Sequence, residues 1–377
     1  MGRQEALNEL FAQFLAMLET ARLVDLKTLL QDGTKVRTVA GKWSFHGRKT
    51  LEKRLKAARR VVKKLNEQAD GEAVDERLRA ARARAAREGL ERATKALEKL
   101  KKLEAAAGPK EKEKVRVSDT EPEARKMKHP DGGWSPSYNV QVTTEAQSRM
   151  IVAVGVTTAA NDTNELLPAL ERVKENCGAL PEQVIADNGY ASRSNVEQTT
   201  QQKVELIAPW KEDTSREAGA CARNGITPEF APSAFRPQYG GKKLTCPAGK
   251  TLVVMEQQKQ HGMLMNVFQA QASDCRRCRL QAACCGKRSG PRQISRPVET
   301  PAMKQYLARM KRPEVKALYS KRSEIAEFPH MWAKAVKGWR RFSVRGLIKA
   351  GMEVVWVALA YNVTQWLRLR QTEAVAA

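Results

Sequence analysis

Leu29-Leu30-Gln31-Asp32-Gly33-Thr34-Lys35 and Val184-Ile185-Ala186-Asp187-Asn188-Gly189-Tyr190 are the two stretches on which the fold turns. Each is a short apolar run that meets an Asp and then, within two residues, a Gly. That order reads as a strand closed by a sharp turn. Open α/β sheets place their sites at the carboxyl ends of strands, which makes Asp32 and Asp187 candidates for chemistry. Asp-Gly and Asn-Gly are also ordinary turn dipeptides, so the pair gains its weight from a third acid.

Outward from these stretches the period of the apolar residues organises the chain. Residues 5–23 are helical, with Leu7, Leu10, Phe11, Phe14, Leu15 and Leu18 on one face, and a strand at 27–31 follows, with 36–40 as a continuation. Residues 48–107 are dominated by Ala, Glu, Lys, Arg and Leu. Leu51, Leu55, Ala58, Val62 and Leu65 stand at heptad-like spacing, and a break at 69–72 makes an antiparallel helical hairpin. The period then switches to two. Strands are expected at 138–145, 150–157, 183–186 and 204–208, with helices at 164–176 and 194–201. This is a mixed α/β sheet with helices packed on it. Residues 211–300, rich in Gly, Pro, Cys and polar residues, read as an inserted module, and 301–377 as helices. The expected divisions are therefore 1–47, 48–112, 113–210, 211–300 and 301–377.

The composition narrows the function. The 377 residues include 67 Lys and Arg against 42 Asp and Glu, a net charge of +25. Such an excess suits a polyphosphate partner, because each neutralised phosphate releases counterions. Only four His are present, so carboxylate chemistry is favoured over a His base. Residues 346–363 are apolar but contain Lys349 and Glu353, which reads as a buried helix and not a membrane span. Seven Cys, an odd number, fit a reducing cytosol.

The third acid is Glu327. Tyr319, Ser323, Glu327 and Lys334 would share one face of a continuous helix. Asp32, Asp187 and Glu327 together could hold two Mg²⁺ or Mn²⁺ ions for an in-line displacement at phosphorus. Glu324 is the reserve for Glu327. Asp119, behind a strand-like Val115-Arg116-Val117, is the reserve for Asp32. A second metal candidate is Cys246 with Cys275-x-x-Cys278 and Cys284, a set able to make a structural zinc site, with Cys285 as a substitute for Cys284.

Taken in order, these motifs resemble the DDE transposases of bacterial insertion sequences, in the group with an RNase H-like core and a Tyr-Arg-Glu-Lys signature. The Asp32, Asp187 and Glu327 segments look like its three acid motifs. Gly338-Trp339-Arg340-Arg341-Phe342-Ser343-Val344-Arg345-Gly346 looks like the basic turn after the Glu. Arg322 stands one position further from Glu327 than in the usual signature. The resemblance implies cleavage at transposon ends and strand transfer into target DNA. It also implies a homodimer in the DNA complex, a nucleoid-associated cytoplasmic location, and DNA contacts from Lys35, Tyr319, Arg322, Lys334, Arg340, Arg341 and Arg345. The family's N-terminal helical reader of transposon ends looks absent, since only a helix and a strand precede Asp32. Two other readings stay open: a catalytically inactive DNA-binding remnant and a non-mobile RNase H-like nuclease.

Overall fold

A computed structural model describes residues 2–67, 76–210, 214–260, 263–287 and 290–376. The chain divides into two compact units, Met1–Pro209 with Met310–Ala377, and Trp210–Arg309. The second unit takes in residues 301–309, which the sequence groups with the C-terminal helices.

In the first unit, α1 (Arg3–Thr20) buries Leu7, Phe11, Leu15 and Leu18 at helical spacing. Strand β1 (Thr28–Arg37) follows. Next come β2 (Phe45–His46), α2 (Arg48–Glu67), α3 (Glu76–Ala106), α4 (Pro109–Lys112), β3 (Val117–Ser118), β4 (Arg125–Lys128), β5 (Trp134–Glu145) and β6 (Ile151–Thr157). Helix α5 (Leu166–Cys177), β7 (Gln183–Ala186), α6 (Arg193–Gln201) and β8 (Glu205–Ile207) complete this part.

The main sheet runs β8-β7-β1-β5, and the far edge of β5 is shared by β4 along its first part and β6 along its second. β1 is parallel to β7 and antiparallel to β5, and β7 is parallel to β8. The expected turn at Asp32-Gly33 does not form. β1 is one unbroken strand, because β5 pairs with it from Leu29↔Glu145 to Arg37↔Ser137, straight through Gly33↔Gln141. A long partner strand overrides the turn preference of the dipeptide. Asp187, by contrast, does follow the last residue of its strand.

The hairpin α2–α3 is held by Leu51, Leu55, Ala93, Ala96, Leu97 and Leu100, which pack with Val117. Its expected break at 69–72 lies outside the described residues.

The second unit contains α7 (Thr214–Arg223), β9 (Arg236–Gln238), β10 (Lys243–Thr245), β11 (Thr251–Gln260), β12 (Met263–Ala270), α8 (Ala272–Arg276), α9 (Gln281–Cys285), β13 (Gln293–Pro297) and α10 (Pro301–Arg309). Its sheet is antiparallel in the order β13-β12-β11-β10-β9. These strands escape a periodicity search because they bury so little. Along β11, Leu252 is the one buried residue.

The chain returns to the first unit as α11 (Pro313–Ser320), α12 (Arg322–Met331), a π-helical turn over Trp332–Val336, and α13 (Leu347–Ala376). Val315 and Ala326 pack on Leu30, Ile185 and Ile207, which lays α11 and α12 over β1, β7 and β8. Helix α13 is long and apolar enough by composition to cross a membrane. In the fold it lies along β6, where Asn362 accepts from the Ile151 N–H and donates to the Ile151 carbonyl, both at 2.8 Å.

Candidate active site

One residue beyond the last parallel pair, Gln31 against Ala186, stand Asp32 and Asp187. The two carboxylates have different surroundings. Arg322 donates to Asp32 Oδ1 at 2.8 Å. His330 Nε2 lies 3.5 Å from Asp32 Oδ2, an ion-pair distance with no hydrogen bond. Burial pushes the Asp32 carboxyl up, but His330, Arg322 and the Gly33 N–H outweigh it and hold it below the usual range. Asp187 accepts from the Gly189 N–H at 2.7 Å. Burial raises its carboxyl, the charges of Asp32 and Asp162 add to the rise, and the Gly189 N–H and Arg322 only partly oppose it. A Cβ on Gly189 would stand 2.9 Å from Asp187 Oδ1, so the turn needs glycine to let the carboxylate fold back.

The helix expected to carry Tyr319, Ser323, Glu327 and Lys334 on one face is not continuous. It breaks at Lys321, between α11 and α12, and changes pitch again at the π-helical turn. Tyr319 therefore sits on a separate helix, packed in the apolar cluster with Leu30 and Ile185. The face of α12 turned to β1 carries Arg322, Ala326 and His330. Glu327 is exposed on the neighbouring face. Glu324 is spent on Arg149, 2.6 Å away. Lys334 reaches back to β1, donating to Thr34 Oγ1 and, at 3.2 Å, to the Lys35 carbonyl. Burial lowers its ammonium pKa, with Asp32 pulling the other way.

Sequence reasoning missed His330 and Asp162. His330 had one usable signal, its rarity in this chain. Asp162 had none, since Asn161-Asp162-Thr163 reads as a plain loop. Its Oδ1 accepts from Asn139 Nδ2 at 2.6 Å and Gln141 Nε2 at 2.7 Å. A Cβ on Gly33 would lie 2.6 Å from that same Oδ1. Neighbouring residues of a strand point to opposite faces, so Asp162 backs β1 from the side away from the Asp32 side chain. Gln31, Gln141, Thr143 and Tyr190 continue this buried layer, with Gln141 Oε1 accepting from Gln31 at 2.7 Å and from Tyr190 at 2.6 Å.

The basic turn after α12 is tied to the end of β1. The Arg37 N–H donates to the Arg340 carbonyl, the Phe342 N–H donates to the Arg37 carbonyl, and Arg341 bridges Arg37. Arg340, Arg341 and Arg345 are exposed, while Lys35 is half-buried. Arg345 lines a cleft of about 340 Å³ with Arg54 and Arg92 of the hairpin. Asp119, the reserve first acid, is paired there with Arg54 and lies beside His46.

All seven Cys are free thiols, and Cys246, Cys275, Cys278, Cys284 and Cys285 line one pocket. Burial and the neighbouring thiols push Cys284 up to about 12. Among the described residues no three His, Cys, Asp or Glu side chains are grouped closely enough to hold a metal ion as they stand.

Residues 245–367, about a third of the chain, match a family model described as Transposase DDE domain. The match supports a DDE transposase, and it spans Glu327, Lys334 and the basic turn. No curated protein matches the chain.

Proposed function

We propose that this chain is a DNA transposase of the insertion-sequence type, built on an RNase H-like core, that cleaves DNA at transposon ends and joins the freed 3′ end to a target. The observation that carries the proposal is the placement of Asp32 and Asp187 side by side on parallel strands. They stand under a helix, α12, that lies within the transposase-matched segment. The mixed sheet, with β1 parallel to β7 and antiparallel to β5, supports the RNase H-like reading.

Two adjacent carboxylates are a hard-oxygen donor set, which fits Mg²⁺ or Mn²⁺. Asp32, Asp187 and Glu327 are the residues proposed to hold such ions. When bound, a pair of divalent ions activates the attacking oxygen and stabilises the leaving oxygen. The chain's own residues do the rest. Arg322 holds the Asp32 carboxylate in one orientation. Lys334, partly desolvated beside β1, presents a fixed ammonium to a phosphate. Arg340, Arg341 and Arg345 extend the positive surface along which a DNA backbone can lie. Lys35 and Tyr319 complete the proposed contacts. Tyr319 would act indirectly, because its ring is packed against the β1 core. A homodimer would bring two such sites to the two ends of one element.

The test is Mg²⁺-dependent cleavage and strand transfer on duplex DNA carrying the element's own ends. Asp32→Asn and Asp187→Asn should abolish both reactions. Asp32→Asn should bind DNA at least as tightly as the parent, since it removes a negative charge. Glu327→Gln should be equally inactive, and a Glu327→Gln chain that cuts normally would remove Glu327 from the set. A parent chain that binds DNA without cutting it in Mg²⁺ or Mn²⁺ would overturn the enzymatic reading.

A further inference from the structure

The second unit holds six of the seven cysteines and brings five of them, from three separate stretches of chain, to one pocket. Cys246 sits in the turn between β10 and β11, Cys275 and Cys278 bracket the end of α8, and Cys284 and Cys285 end α9. Their side chains wall a cavity of about 30 Å³. A space of that size holds one water-sized particle.

The Cys246 turn is shaped around its sulfur. The Cys246 N–H donates to the Lys250 carbonyl at 2.8 Å, and the Gly249 N–H donates to the Cys246 carbonyl at 2.8 Å. The Lys250 N–H points at Cys246 Sγ, 3.2 Å away. Gly249 makes the turn possible with φ +79°. A backbone N–H aimed at sulfur favours a thiolate over a thiol, because the negative charge is the better acceptor.

A second observation is independent of the cysteines. Arg292 lines the same cavity and is only 5% exposed. One of its terminal nitrogens donates to the Phe230 carbonyl at 2.9 Å, while its Nε has no partner. Among the described residues no carboxylate pairs with it. A buried guanidinium without an anion is costly. Among the described residues of the cavity wall, the groups able to become anions beside it are the thiols and Asp274, and Asp274 lies 3.8 Å from Lys250.

We infer that Cys246, Cys275, Cys278 and Cys284 form a structural site for a soft divalent cation of the zinc class, with the buried Arg292 as its counter-charge. On binding, four S–H bonds break, four metal–sulfur bonds form, and the protons pass to solvent. The product carries a charge of −2, which Arg292 partly offsets. The sulfurs surround a common space without standing at coordinating separation, so binding draws them inward to about 2.3 Å from the metal. Zinc suits four thiolates in a tetrahedron better than the hard cations proposed for Asp32 and Asp187. Cys284 is chosen over Cys285 because Cys284 packs in one cluster with Cys246 and Cys275, while Cys285 is outside that cluster and only 3% exposed.

This inference does not depend on the transposase reading, because metal content is measurable whether or not the chain cuts DNA. Elemental analysis of the full chain, purified without chelator, should find about one zinc per chain. A thiol-reactive mercurial should release it. Cobalt exchanged into the site should show intense thiolate-to-metal absorption in the near ultraviolet. Cys278→Ser should weaken cobalt binding at least tenfold, whereas Cys177→Ser and Cys285→Ser should leave stoichiometry and spectrum unchanged. A zinc-free parent chain that takes up cobalt without thiolate bands would overturn the inference. So would a Cys278→Ser chain with the parent's spectrum. If Cys278→Ser does not fold, mercurial release and cobalt titration of the parent chain decide the matter alone.

Discussion

At Asp32 and Asp187 the same side chain meets opposite electrostatics on neighbouring strands. Asp32 has Arg322 and His330 beside it, and its carboxyl is held low. Its ionised form therefore adds stability above the ordinary carboxylate pKa, and that stability is lost as pH falls through the lowered value. Asp187 is half-buried near Asp32 and Asp162, and its carboxyl is held high. Its ionised form costs stability at neutral pH, and the cost is relieved as pH falls through the raised value. Two substitutions equal in chemistry should therefore differ in sign. In the presence of EDTA, Asp32→Asn should lower the thermal midpoint, because Arg322 loses its partner, at a cost of about 3 kcal/mol. Asp187→Asn should raise the midpoint by roughly 1–3 °C, on the scale at which ~1 kcal/mol moves a domain of this size by a few degrees. Thermal unfolding of both variants checks this, and a shift of the same sign in both would refute the asymmetry. Gly33 belongs to the same scale. Gly33→Ala would drive a methyl to 2.6 Å from Asp162 Oδ1 and Gln141 Nε2. It should destabilise by about 1–3 kcal/mol, as overpacking does.

Among the elements, α13 depends on two acids far away in sequence. Glu121 is 1% exposed and accepts from the Ala40 N–H at 2.7 Å and the Gly346 N–H at 3.2 Å. Glu123 accepts from the Leu347 N–H at 2.7 Å. Together they satisfy free N–H groups at the start of α13, where negative charge is also favoured by the helix dipole. Glu121→Ala should cost about 2–3 kcal/mol, since it orphans buried donors. Hydrogen exchange should quicken at Ala40 and at the first turn of α13 before it quickens in β1. Equal exchange throughout would mean that Glu121 is only one more packed side chain. The hairpin is also an element with a defined base. Arg48 pairs with Glu104, Arg54 with Asp119, and Lys99 donates to the Glu123 carbonyl at 3.0 Å. Away from that base, Lys53, Lys56, Arg59, Arg60, Lys63 and Lys64 stand on α2, all six of them exposed. Removing the hairpin should flatten the salt dependence of DNA binding by about 0.9 in log–log slope for each phosphate that the hairpin neutralises. Titrations of parent and deletion chains across a salt series measure this, and an unchanged slope would assign the hairpin a purely structural role.

Over the whole molecule the excess of 25 positive charges predicts duplex binding whose affinity falls steeply with salt. If about six to ten phosphates are neutralised, affinity falls about 10³–10⁵-fold between roughly 50 and 200 mM salt. Filter binding or anisotropy at several salt concentrations, with random duplex as the probe, checks it. A flat response would mean that the charge is spread too evenly to track a backbone. The apolar helix α13 is held in the fold by polar bonds as well as by packing. Besides the Asn362 bonds to Ile151, Gln365 donates to the Ser148 carbonyl at 2.9 Å. These polar anchors tie the helix to β6 and to the turn before it, and Ala350, Val354, Ala358 and Leu359 share the core with α1.

Local chemistry was enough to read the α/β class, the heptad-spaced hairpin and the Asp187 strand end, because hydrophobic period and glycine turns act over a few residues. It was also enough to nominate Asp32 and the cysteines. Local chemistry was not enough at Asp32-Gly33, where a turn dipeptide became mid-strand because β5, far along the chain, supplied a full ladder of partners. Nor was it enough on the helix after Tyr319. The break at Lys321 separates Tyr319 from the Glu327 helix, and packing on β1 turned Arg322 and His330, not Glu327, toward Asp32. The partnership of Asp162 with Gly33 and the placement of Arg292 among the thiols have no trace along the chain. They arise only when distant segments share a buried space, where each polar group must find a partner that sequence spacing does not encode.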